Sequence, residues 1–182
     1  MPGERVILTY KDYEALPADG RRYEIHEGEL SVTPAPSLHH QRVIGNLYTI
    51  LRQHVKSGGL GEVLLSPVDC ILSDVTIVQP DLVYLDTTHG SLVSDRGVEG
   101  PPALVVEVLS PSTTEIDRST KRQLYARYGV PYYWIVDAEA RAVEAYMLSE
   151  RGYQLSARAA GSEPVCLPPF PDLAFAPASL WP

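Results

Sequence analysis

Apolar residues recur along this chain with two different periods, and the change from one to the other marks out the elements. Between Leu38 and Val55 they fall at Val43, Leu47, Ile50 and Leu51, the spacing that lays one apolar stripe along a helix, and Gly58-Gly59 supply its stop. Ala103–Leu109 is instead continuously apolar and rich in valine, as in a strand buried on both faces. Pro80–Leu85 reads as a shorter strand with its proline confined to the first position. Gly61–Leu65, Val68–Leu72, Tyr132–Val136, Ala142–Met147 and Tyr153–Ser156 are further strands. Ahead of them, Thr9 caps a short helix, Tyr10–Leu16, and a hairpin of Tyr23–Ile25 and Leu30–Val32 turns at Glu27-Gly28. A second long helix runs from Asp117, its N-cap, to Tyr128, with Leu124, Tyr125 and Tyr128 as its stripe and Gly129 as its end.

The chemistry enters where this pattern is broken. Glu107 interrupts a buried run, and an ionised carboxylate there is expensive unless it is paired, hydrogen-bonded or bound to a metal. It shares a strand face with Val105 and Leu109, so its partner must come from another element. Asp81, at the start of the neighbouring strand, and Lys121, on the helix that follows, are the candidates. A lysine one turn before Tyr125 can lay its stem over apolar surface and deliver its charge to the strand ends. Two carboxylates for a divalent cation and one ammonium for water or phosphate are what a metal-dependent phosphodiesterase needs. The competing reading is a surface ion pair between Asp117 and Lys121, worth about 0.3–0.5 kcal/mol.

With 182 residues and 45% apolar content, residues 1–182 are long enough to bury one core and are expected to form a single domain. No long apolar span occurs and Met1–Arg5 carries no secretory signal, so a soluble, cytoplasmic protein without membrane contact is expected. Cys70 and Cys166 are isolated thiols without metal spacing. His39 and His40 are adjacent on the first long helix and point about 100° apart, so one metal does not easily take both. A net charge of −8 opposes general attraction to a polyanion, so nucleic-acid binding must be local. Arg21, Arg22, Arg42, Arg52, Arg118 and Arg122 are the groups able to gather for it. The long stretch Asp86–Gly100 reads as a loop that could close over a substrate, although its acidic residues suit phosphate poorly. The proline-rich arm Pro164–Pro182 offers apolar surface that a homodimer would cover.

The string Pro80-Asp81, Val105-Val106-Glu107-Val108-Leu109-Ser110-Pro111-Ser112, Lys121, Tyr125, Gly129-Val130-Pro131 and Tyr133-Trp134-Ile135-Val136-Asp137 resembles the restriction-endonuclease-like family of the PD-(D/E)XK nuclease superfamily. The resemblance extends upstream to Tyr23-Glu24-Ile25, Glu27-Gly28-Glu29-Leu30 and Pro36-Ser37 leading to His40-Gln41, so that residues 9–140 are covered. It implies an α/β fold, a restriction-endonuclease-like mixed sheet with an αβββαβ core, plus the N-terminal hairpin and C-terminal strands. It also implies an endonuclease using Mg²⁺ or Mn²⁺ on nucleic acid without fixing which kind, and DNA is the expected partner. Asp81, Glu107 and the Val108 carbonyl match the metal ligands, and Glu24, Glu29, His40 and Gln41 match accessory positions. Leu109 stands where the superfamily has a lysine, and the resemblance implies that Lys121 supplies that ammonium from the next helix. Tyr132, where an acidic residue is expected, is a second, peripheral departure. A catalytically silent dimeric binding module is the alternative, and a hydrolase of small phosphate esters a third.

Overall fold

The computed structural model describes residues 6–182, so the expectation about Met1–Arg5 lies outside the described residues. In chain order, α1 (Tyr10–Glu14) precedes the hairpin β1 (Arg22–His26) and β2 (Glu29–Thr33), then α2 (Leu38–Gly58) and β3 (Gly61–Leu65). Next come β4 (Cys70–Ser73), β5 (Thr76–Val78), β6 (Leu82–Asp86), the two-residue strands β7 (Val93–Ser94) and β8 (Gly97–Val98), and β9 (Leu104–Val108). One continuous helix follows, from α3 (Thr114–Ile116) through a π-helical turn (Asp117–Lys121) to α4 (Arg122–Arg127). The chain ends with β10 (Tyr132–Asp137), β11 (Ala142–Ser149), β12 (Gly152–Ala160), β13 (Val165–Cys166) and β14 (Ala174–Phe175).

The central sheet has the order β12-β11-β10-β9-β6-β3, with β9 and β10 parallel and joined by the helix. Together with α2 this gives the expected αβββαβ core: α2, β3, β6, β9, helix, β10. Alternation along β9 decides what each side of the sheet receives. Leu104, Val106 and Val108 join the cluster under α2, while Val105 joins Leu124 and Tyr125 on the other side, where Glu107 also points. On α2, Val43, Ile44, Leu47, Leu51 and Val55 are the buried stripe. Ser37 opens the helix by accepting a hydrogen bond from the His40 N–H, and Gly59 closes it at φ 62°, a left-handed position that glycine takes without steric cost.

The second sheet, β2-β1-β5-β4-β8-β7, was not legible as a separate unit. Val68–Leu72, expected among the core strands, corresponds to β4 in this sheet, and β5 was not anticipated. The reason lies in the apolar pairing: Ile71 and Ile77 pack with Ile25 of the hairpin in a small cluster of their own, away from the main core. The expected loop Asp86–Gly100 contributes β7 and β8 to the same sheet. Gly97 permits this at φ 129°, because a Cβ there would stand 2.3 Å from the Asp69 carbonyl oxygen, which accepts the Val98 N–H at 2.8 Å.

The proline-rich arm folds back on its own subunit. Leu167, Phe170, Phe175 and Leu180 are buried in the α2 cluster, the Trp134 indole donates to the Pro168 carbonyl at 2.7 Å, and Asn46 donates to that of Leu180 at 3.1 Å. Tyr146 and Tyr153 are buried as well. The arm's Leu167, Phe170, Phe175 and Leu180 are thus used within one chain, while Met147 and Leu155 on β11 and β12 stay exposed. Phe170→Ala should cost about 3–5 kcal/mol of stability in urea unfolding. A loss below about 1 kcal/mol would mean that the arm is only laid on the core.

Candidate active site

Three residues of β1 alternate onto the same side of the hairpin: Arg22, Glu24 and His26. Glu24 accepts hydrogen bonds from the Gln79 N–H at 2.6 Å and lies 2.9 Å from Lys121 Nζ and 3.1 Å from His26 Nε2. Asp81 stands immediately before β6, where its Oδ2 accepts the Val108 N–H at 2.8 Å and its Oδ1 accepts Arg22 Nη1 at 2.9 Å. Glu107 Oε1 accepts from Lys121 Nζ at 2.9 Å and from the Tyr125 hydroxyl at 2.6 Å. From the first turn of α2, His40 Nε2 reaches the Val108 carbonyl at 2.8 Å and Asp81 Oδ2 at 3.2 Å. A carbonyl can only accept, so Nε2 carries the proton. Among the described residues, His40 Nδ1 and Asp117 Oδ1 are buried without hydrogen-bond partners, and the latter lies 3.9 Å from Lys121 Nζ.

These groups meet at a cavity of about 230 Å³ whose mouth is formed by Thr33–Ser37 and Ser110–Thr113. Its lining holds four carboxylates, Glu24, Asp81, Glu107 and Asp117, against two permanent cations, Arg22 and Lys121, and His40. Burial works against every one of these charges. For Glu24 it is outweighed by Lys121 and His26, which hold the carboxyl down to about 2. For Asp81 it is outweighed by His40, Arg22 and the Val108 N–H, so this group also lies below the usual carboxylate range. Glu107 goes the other way: burial, with Asp117, Asp81 and Glu24 close by, overcomes Lys121 and pushes it up to about 8. Burial likewise lifts Asp117 to about 6. Lys121 keeps its charge because Glu107, Glu24 and Asp117 outweigh burial, and His40 is raised because Asp81 and the Val108 carbonyl do the same.

A family model described as "Putative restriction endonuclease", Uma2, matches residues 10–178. The chain belongs to the Uma2 family. No curated protein matches it. Among solved structures, one from Anabaena variabilis ATCC 29413, described as "a putative nuclease belonging to DUF820", superposes on the Uma2 chain with a TM-score of 0.79. It does so at 18% sequence identity, over 95% of this chain and 97% of that one, which establishes a shared fold.

Of the residues singled out in the Uma2 sequence, Asp81, Glu107, Lys121, Glu24 and His40 all line the cavity. Val108 turns its carbonyl to His40. Glu29 and Gln41 do not line it. Glu29 sits at the start of β2, beside a separate hollow, and Gln41 follows His40 around α2 into solvent. The surface pair of Asp117 and Lys121 is not what forms: both side chains are buried, and Asp117 lies within the π turn while Thr113 precedes α3 as its N-cap. Leu109 packs against the core in the place of the superfamily lysine, and Tyr132 is peripheral, packed against the α2 cluster. Of the six arginines only Arg22 reaches the cavity. Arg118 is held by Asp137 and Glu144, and Arg122 by the Tyr153 carbonyl and the Tyr146 ring. No residue of Asp86–Gly100 lines the cavity. Asp117 and the Tyr125 hydroxyl were missed. The i, i+4 spacing of Asp117 with Lys121, and of Lys121 with Tyr125, was the available signal. Among the described residues no helix is long and apolar enough to cross a membrane.

Proposed function

We propose that this chain hydrolyses phosphodiester bonds of nucleic acid with the help of a divalent cation, Mg²⁺ or Mn²⁺. The observation that carries the reading is the surplus of buried carboxylate around one cavity, four against two permanent cations, with Glu107 pushed up to about 8 by burial and by its acidic neighbours in spite of Lys121. The donors fit such an ion: the carboxylates of Asp81 and Glu107 and the carbonyl of Val108 are hard oxygen ligands. Among the described residues no three His, Cys, Asp or Glu side chains group as a metal site, so the ligands of this reading are two carboxylates and one backbone carbonyl. When bound, the cation would supply Lewis acidity toward water and phosphate. The Lys121 ammonium, held between Glu24 and Glu107, would donate to the attacking water or to the phosphate oxygens as charge develops there. Glu24 and Tyr125 position it, the first through the ammonium and the second through Glu107.

One observation favours the silent module: Asp81 is already paired with Arg22 and His40, and Glu107 with Lys121, so the network is partly closed without a metal. A cation titration followed by thermal unfolding separates the two. At a hundredfold excess over its dissociation constant, Mg²⁺ or Mn²⁺ should add about 2.7 kcal/mol of stability, and Asp81→Asn should remove the gain. A melting curve unmoved across the millimolar range would leave the silent module standing. Metal-dependent release of fragments from labelled nucleic acid completes the test.

A further inference from the structure

The mouth of this cavity is poor in the groups that hold a duplex. Asp81 and Glu107 are each 1% exposed and Lys121 4%, so a reacting phosphate must travel inward past Thr33–Ser37 and Ser110–Thr113 to meet them. Neither segment carries a lysine or arginine. The only permanent cations in the lining, Arg22 and Lys121, lie inside and are paired to Asp81, Glu24 and Glu107. A duplex presents one charge per about 1.7 Å and needs lysine or arginine along its flanks to neutralise them. A chain of net charge −8 with a rim free of fixed positive charge repels that double row.

The rim instead offers small, uncharged and apolar groups. Pro34, Ala35 and Pro36 are exposed on one side, and Pro111 and Ser112 on the other. Exposed proline rings give the faces of unstacked bases apolar surface to lie against, and a single strand brings half the charge per length to a rim without cations. We propose that the substrate enters as an unpaired strand, with one phosphate drawn into the recess and its flanking bases laid against the two proline-bearing loops. This rests on the nuclease reading above and narrows its substrate class.

The test compares one labelled oligonucleotide as a single strand and as a blunt duplex of the same sequence. Cleavage is followed on denaturing gels in Mn²⁺, and binding by fluorescence anisotropy in Ca²⁺. The single strand should be bound and cut at least tenfold better. Pro34→Lys with Ser112→Lys, which adds cations to the rim, should narrow the gap by strengthening duplex binding. A duplex bound and cut as well as the single strand would overturn the strand preference and leave the nuclease reading intact. Tenfold tighter binding of the single strand without any cleavage would support the strand preference and remove the nuclease reading. Absence of both binding and cleavage would overturn both.

Discussion

Replacing Lys121 by methionine is expected to destabilise the metal-free protein by about 3–5 kcal/mol near pH 8, the cost of leaving buried charge without its partner. Methionine nearly conserves the length of the side chain, so the change removes charge more than packing. Glu24 and Glu107 are each 1% exposed, and both look to the same ammonium at 2.9 Å. Without it, Glu24 loses the largest influence holding its carboxyl down to about 2, and Glu107 is left among like charges. The penalty should shrink as pH falls, because protonated carboxyls no longer need a counter-charge. Urea unfolding at pH 5.5 and pH 8 measures both. A loss under 1 kcal/mol at pH 8 would show that the ammonium is dispensable to the cavity, as a surface ion pair would be. Phosphodiester cleavage should fall with it, and Lys121→Arg should restore stability better than activity, since a planar guanidinium cannot reproduce a compact point charge.

The metal-free protein should also lose stability as pH rises from about 5 to 8.5, with Glu107 as the main source. Its carboxyl rises on folding from 4.5 to about 8, so its contribution is full below 4.5 and disappears as pH climbs through 8. Asp117 adds a smaller loss in the same direction, between 3.8 and about 6. Glu24 has the opposite sign: its contribution is present above 4.5 and is lost only as pH falls toward about 2, outside this window. One pKa unit corresponds to about 1.4 kcal/mol, so the Glu107 contribution amounts to a few kcal/mol. Glu107→Gln should flatten the wild-type profile, and a divalent cation should flatten it without any mutation. Parallel pH profiles for wild type and Glu107→Gln would mean that Glu107 is ionised throughout and that the cavity balances its own charge without a cation.

The parts of the fold that declare themselves in the sequence are those where burial imposes a period. α2 does so through Val43, Leu47 and Leu51 with Gly59 at its end, and β9 through Leu104, Val105, Val106 and Val108 on either side of Glu107. Thr76–Val78 is too short to show a period, and β7 and β8 have two residues each, so the second sheet stayed hidden. Within the cavity, Glu107 was conspicuous because a charge in an apolar run requires a partner. His40 and Glu24 came from the family resemblance alone. The turn-rich stretch before Asp117 makes it read as an N-cap, and nothing local announces the π turn in which it lies. The destination of Arg22 was equally unreadable, since it depends on how the hairpin sits against β6, and that is fixed by Ile25 packing on Ile71 and Ile77.

The return of the C-terminal arm to α2 has a consequence for synthesis. The hydrogen bond from Asn46 to the Leu180 carbonyl joins residues 134 positions apart. At about 5–20 residues per second, a ribosome takes roughly 7–27 s to add that length. During this interval the cluster under α2 lacks Leu167, Phe170, Phe175 and Leu180, and the nascent chain carries an incomplete apolar surface. An interruption of synthesis before residues 167–180 are added therefore leaves the α2 side of the sheet uncovered, although the residues of the cavity are already made.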